Sequence, residues 1–238
     1  MSGFVWLTII SPISNVSPSV VAFRTLPVPL LPANVQGETL KALDRAALDP
    51  DCCRIICAGW QGPLDAEPQI RICTTDQQEI ETLTTLWERR IELVDAMWQA
   101  PPFLGYGLTW FDLGVMVRRS QILGVSVPEA IYKQGKYRHD LIIELADYLT
   151  MNGMIDQKKG RGLEYQCRRL GITVPDDYTG KDVGQLWKDG NVQGIRDHCQ
   201  ADLTRIRLLA ERLGVISSQP IIQAPMPSWD NIPLVKDL

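Results

Sequence analysis

The chain has 238 residues, 45% of them hydrophobic and 22% charged, with a formal net charge of −4. That balance suits one large globular domain with tails, able to bury a core without disulfide staples. The acidic excess argues against a protein that coats nucleic acid through overall positive charge, but leaves room for one whose cations line a single cleft.

Taken in chain order, residues 1–18 begin apolar and turn rich in Ser and Pro, an irregular lead-in. The apolar run Met1–Ile10 lacks the basic start and small-residue cleavage site of an export signal, and it is too short to span a bilayer. A cytoplasmic protein without membrane contact is expected. Val20–Phe23 reads as a first strand, and the three prolines of Leu26–Pro32 read as an extended surface loop. Arg54–Trp60 (RIICAGW) reads as a buried strand, Gly62-Pro63 as a turn, and Gln69–Cys73 as the returning strand of a hairpin. Ile80, Leu83, Leu86, Trp87, Ile91, Val94 and Trp98 recur at helical spacing, which predicts a helix over Asp76–Trp98. Pro101-Pro102 stops it, and Phe103–Tyr106 makes a short strand.

Asp112–Leu123 reads as a helix with Val115, Met116, Ile122 and Leu123 inward, closed by Gly124. Residues 139–151 read as another helix, followed by helices over Leu163–Leu170, Lys181–Trp187 and Val192–Leu213. The main body is taken as residues 19–215, and the four prolines of 216–238 mark a tail. Strand, hairpin, helix, strand and then helices make an α/β protein: a mixed sheet with helices on both faces.

Six cysteines and two histidines limit the metal chemistry. Cys52, Cys53 and Cys57 fit no standard zinc module, so small buried thiols in a reducing compartment are expected. In the last helix, positions 195, 198, 202, 206 and 209 advance by three or four, placing His198 and Asp202 on an otherwise apolar line. Buried charge is costly unless it is paired or binds a metal. The pair reads either as a metal-binding Asp with a proton-handling His, or as a local hydrogen bond at the edge of the stripe. In Gly105–Asp112, a strand gives way through a glycine turn to an acid at a helix start. Loops after strand ends are where α/β sheets bind ligands, but taken alone Asp112 reads first as a cap or charge complement of the helix N-terminus.

Arg89-Arg90, Arg118-Arg119 and Arg168-Arg169 read as ordinary surface charge. Lys158-Lys159-Gly160-Arg161 is the best basic loop for phosphate contact. Asp65-Ala66-Glu67 sits between Pro63 and Pro68 in an exposed hairpin turn and is set aside as a ligand source.

Together, FLGYGLTWFDLGVMVRRSQILGV, RHDLIIEL and LGITVPDDYTGKDVGQLWKDGNVQGIRDHCQADLTRIRLLAERL resemble motifs of the predicted PolB-like 3′–5′ exonucleases. These belong to the DEDD superfamily with a ribonuclease-H-like fold, and VVAF and RIICAGW are similar to its first two strands. The resemblance implies four acids holding two divalent cations, Mg²⁺ or Mn²⁺, that release terminal nucleotides from the 3′ end of single-stranded DNA or RNA. It makes Asp112 and Asp202 the metal-binding acids and His198 the residue in the water-orienting position. Tyr106, Gly107, Trp110 and Phe111, with Lys158, Lys159 and Arg161, become the expected strand contacts.

Three departures qualify the resemblance. The first strand should end Phe-Asp-x-Glu-Thr, but Phe23 is followed by Arg24-Thr25-Leu26-Pro27. Loss of two carboxylates and gain of a guanidinium should weaken divalent-metal binding strongly. Gly107 stands for an Asn, and His198 for a Tyr. Three readings follow: an exonuclease with a depleted site, a non-catalytic binder of single strands on a nuclease fold, or an interaction module presenting its Pro-rich tail.

Overall fold

A computed structural model describes residues 19–27, 50, 53–62, 65–97, 101–133, 141–151, 154 and 162–216. Five strands form one sheet: β1 (Ser19–Pro27), β2 (Cys53–Gln61), β3 (Gln69–Ile72), β4 (Phe103–Gly105) and β5 (Ile142–Glu144). Their spatial order is β3-β2-β1-β4-β5. The β1–β2 and β2–β3 pairs are antiparallel, whereas β1–β4 and β4–β5 are parallel. This is the ribonuclease-H-like arrangement expected from the order of elements.

Strand β1 is longer than the run Val20–Phe23 suggests. It pairs with β2 from Val20 to Pro27, so Leu26 and Pro27 belong to the sheet rather than to a loop. The remainder of the Pro-rich stretch lies outside the described residues. A second correction concerns residues 139–151: Ile142–Glu144 is strand β5, and only Leu145–Thr150 is helical. Ile142 and Ile143 are β-branched and buried, and a three-residue strand buried along its length has no room to display alternation.

Alternation along β1 sends Val21 and Ala22 into different cores. The Val21 side is covered by α1 (Asp76–Met97) and α2 (Leu113–Leu123). On α1 the inward line is Glu79, Leu83, Leu86, Arg90 and Leu93, while Ile91 is exposed against expectation. On α2 it is Val115, Met116, Arg119 and Ser120, while Ile122 is exposed. Polar groups thus take places that the apolar pattern assigned to isoleucines, and each is partnered. Trp87 Nε1 donates to Ser120 Oγ at 3.0 Å. Arg119 grips both oxygens of Glu79 at 2.7 and 2.8 Å, and Glu79 also accepts from the Ile55 N–H at 3.0 Å. The Arg90 guanidinium lies 4.4 Å from the Phe103 ring and donates to the Pro101 carbonyl. Arg90 and Arg119 are therefore buried structural cations and not surface charge; Arg168 and Arg169 remain exposed.

The opposite face carries α5 (Leu163–Arg169), α6 (Val183–Lys188) and the long α7 (Val192–Arg212). The short helices α3 (Glu129–Tyr132) and α4 (Leu145–Thr150) complete the described set. Helix α7 starts where Asn191 Oδ1 accepts from the Gly194 N–H at 2.9 Å, a side-chain cap. It approaches β2 closely at Gly59, where an added Cβ would stand 2.8 Å from Leu203 Cδ1 and 2.9 Å from Cys199 Sγ. The small residue lets helix and strand close on one another. The five described cysteines are buried. The hydrogen bond that Cys57 donates to Cys199, together with burial, pushes the Cys57 thiol up, so it remains a protonated packing group. Among the described residues no helix is long and apolar enough to cross a membrane.

Candidate functional site

The cleft begins at a fault in the β1–β2 ladder. Arg24 pairs with Cys57 and Thr25 with Ile55, which leaves Ile56 as an extra residue in β2. Ile56 and Cys57 consequently both fall in the α7-side core. Bulges of this kind bend a strand and re-aim side chains. Arg24 follows Ala22 by two positions and emerges on the same face, beneath α7.

There its Nη2 donates to Asp202 Oδ2 and lies 3.2 Å from His198 Nε2. The other Asp202 oxygen, Oδ1, accepts from Arg205 Nη1 at 2.8 Å. That same nitrogen reaches Asp176 Oδ2 at 2.7 Å, and Asp176 Oδ2 lies 2.8 Å from His198 Nδ1. The five side chains form a closed ring of contacts. Three come from one face of α7, since 198, 202 and 205 are separated by a helical turn. Arg24 comes from β1 and Asp176 from the segment between α5 and α6.

The ring fixes the histidine. A guanidinium only donates, so Nε2 facing Arg24 must accept; a carboxylate only accepts, so Nδ1 carries the proton toward Asp176. Neutral imidazole is also what the surroundings favour. Burial lowers the His198 pKa, the Arg24 and Arg205 cations add to this, and Asp176 opposes it. Burial would raise Asp176, but hydrogen bonds from His198 and Arg205 outweigh it and hold the acid below its ordinary value.

Asp112 lies within electrostatic reach of Arg24. It ends a π-helical turn, Leu108–Asp112, in which the Leu113 N–H reaches back to the Leu108 carbonyl. The wide turn adds a residue before α2, and Asp112 makes no capping hydrogen bond, contrary to its possible role as a helix cap. Its carboxyl is pushed up to about 7, first by desolvation; the Arg24 cation pulls it down and Glu144 pushes it further up. Asp202 contacts Arg24 directly, and Asp112 lies within electrostatic reach of the same cation.

Glu144, at the end of β5, holds this turn in place. Its Oε1 accepts from the Gly107 and Ala146 N–H groups at 2.8 and 3.2 Å, and Oε2 from Thr109 N–H and Oγ1 at 3.0 and 3.2 Å. Burial raises the Glu144 pKa, with these hydrogen bonds opposing it. Gly107 enters the turn at φ 82°, a left-handed conformation. Glycine and asparagine are the residues that adopt it most readily, so this backbone suits either the glycine present or the asparagine that the resemblance expects here.

Of the other expected contacts, Tyr106 is half-buried against the α7-side core and Phe111 packs partly against the opposite core. Gly107 lies in the turn, and so does the Trp110 backbone, the Trp110 side chain being outside the described residues, as are Lys158, Lys159 and Arg161. Asp65 is turned inward, accepting from the Gly62 N–H at 2.7 Å and pairing with Arg89 at 2.6 Å, while Glu67 is exposed. Glu144, Asp176 and Arg205 were not anticipated from sequence.

Asp176, His198 and Asp202 offer ligand atoms within 4.8 Å of one another, a possible metal group. The surrounding contacts do not fit an ion. Arg205 Nη1 already bridges the two carboxylates, and Arg24 engages the remaining oxygen of Asp202 and the acceptor nitrogen of His198. A divalent cation would have to displace a guanidinium from a largely buried position, since the Arg205 and Arg24 side chains are 5% and 18% exposed.

No curated protein matches the chain. A family model described as a predicted 3′–5′ exonuclease related to the exonuclease domain of PolB matches residues 53–218. The match begins with β2, so β1 and its Arg24 fall outside it. It covers well over half of the sequence and includes Asp112, Glu144, Asp176, His198, Asp202 and Arg205: the chain belongs to this family of predicted PolB-related 3′–5′ exonucleases.

Proposed function

We propose that the chain uses its exonuclease cleft to bind the 3′ ends of single-stranded DNA or RNA, without hydrolysing them by the two-metal route. Membership of the family supports nucleic acid as the ligand class. The observation carrying the second half is the double occupation of Asp202, one oxygen by Arg24 and the other by Arg205. Mg²⁺ or Mn²⁺ chemistry there requires free carboxylate oxygens. On this reading Asp112, Asp202 and His198 shape the cleft without acting as metal ligands or catalysts. Tyr106, Trp110 and Phe111 supply stacking surface beside Gly107, and Lys158, Lys159 and Arg161 supply phosphate contacts. The working unit is residues 19–215, and the buried cysteines among its described residues suit a cytoplasmic setting.

The test is to incubate the full chain with fluorescent single-stranded DNA and RNA in Mn²⁺ and follow both anisotropy and strand length. Binding that weakens with salt, with strands left intact, is the expected outcome. Shortening from the 3′ end that disappears in Asp202→Ala and His198→Ala would establish an active exonuclease instead. Absence of binding to either nucleic acid would leave the interaction-module reading.

A further inference from the structure

We infer that Arg24 is the resident cation of this site: its guanidinium occupies the Asp202 oxygen and the His198 nitrogen that a divalent ion would need, making the protein independent of metal and leaving a metal site latent beneath one side chain. The inference rests on the reading of the cleft as a disarmed nuclease centre. Its test needs no nucleic acid, so the two can fail separately.

Three observations carry it. First, Arg24 is placed by the fold and not by chance rotation. The ladder fault after Arg24 aims this stretch of β1, and its guanidinium is anchored to two residues of α7, Asp202 and His198. Second, the charges cancel. Arg24 and Arg205 face Asp202 and Asp176 across direct contacts, with His198 neutral between them. A doubly charged ion added to this ring would meet two guanidinium groups at contact distance, and neither can shed its proton. Third, the acids around Arg24 are hard oxygen donors. With Arg24 gone, Asp202 Oδ2 and His198 Nε2 would be left without the guanidinium, and Asp in its place would add a third donor to a set suited to Mn²⁺ and related ions. The Glu144 oxygens stay engaged by the turn and do not join this set. A guanidinium can satisfy carboxylates by hydrogen bonding much as a cation does by coordination, but it cannot lower the pKa of a water or accept an oxygen lone pair.

The probe is Mn²⁺ alone, followed by loss of the free-ion electron paramagnetic resonance signal and by thermal melts in Mn²⁺ or EDTA. The wild-type chain should melt at one temperature in both buffers and bind no Mn²⁺ at this cleft. Arg24→Asp should melt lower in EDTA, recover by about 4 °C in Mn²⁺, and bind Mn²⁺ at least about tenfold more tightly than wild type. Adding Asp202→Asn to Arg24→Asp should abolish that gain. Arg24→Gln, neutral and similar in shape, should show a smaller gain and serves if Arg24→Asp does not fold. Wild-type Mn²⁺ binding that is lost in Asp202→Asn overturns the inference without any Arg24 variant. So does an Arg24→Asp or Arg24→Gln protein that folds and binds Mn²⁺ no better than wild type.

Discussion

The two faces of the sheet bury charge in different ways. On the α1–α2 face, one carboxylate meets one guanidinium: Glu79 is wholly buried, and Arg119 and the Ile55 N–H saturate it. On the α7 face, two carboxylates, two guanidinium groups and an imidazole share contacts, and the ring reaches solvent, with Asp202 14% and Arg24 18% exposed. A pair that needs nothing more is a fold element. A ring open at one side, with Asp112 pushed up to about 7 within electrostatic reach of its Arg24, has the character of a site rather than of a fold element.

The sharpest way to break the comparison is Glu79→Ala. It strands the buried Arg119 and removes the acceptor of the Ile55 N–H, so urea melts should show a loss of about 3–5 kcal/mol. Gly59→Ala attacks the other face by forcing a methyl group against Leu203 and Cys199. It should cost about 2 kcal/mol by the same melts, and a cost near zero would mean that α7 does not sit as close to β2 as described. Asp112→Asn should go the other way. Between the ordinary 3.8 and the folded value of about 7, the folded chain keeps a proton that the unfolded chain gives up. Acidification through that window therefore favours the fold, and the ionised acid burdens it at higher pH. The amide should stabilise by about 2 kcal/mol near pH 8, and by almost nothing below about pH 4, in melts run across pH. Last, Gly107→Asn restores the residue of the family pattern in a left-handed position with no atom within 4 Å of a new Cβ. Its effect should stay within about 0.5 kcal/mol, whereas Gly107→Val should unfold the turn that Glu144 holds.

Much of this face was legible in the sequence because helical spacing is legible. Ile195, His198, Asp202, Ile206 and Leu209 announce one line of α7, and four of the five are buried, with Asp202 at the rim. The oddity after Phe23 also announces itself, as a guanidinium where an acid is expected. The partners that make it a closed ring do not. Asp176 lies 22 positions from His198 in an irregular segment, and only the packing of α6 and α7 brings it in. Glu144 was hidden by reading residues 139–151 as helix. The signal that could have found it is an acid directly after two buried isoleucines, the usual position of a group at a strand's end. Arg119 and Arg90 escaped for a different reason. Each sits next to an arginine that is not buried, and dipeptides of like charge read as surface.

The extra residue in β2 has its own consequence. Cys53 and Ile55 face α1 and α2 before the fault, and Ala58 and Trp60 do so after it, so odd numbers hand over to even ones within a single strand. Deleting Ile56 would therefore be a lesion of another kind from any substitution. Half the strand would have to turn inside out or the hairpin would have to slide by a residue, and the cradle that aims Arg24 would vanish with its neighbours' side chains all still present.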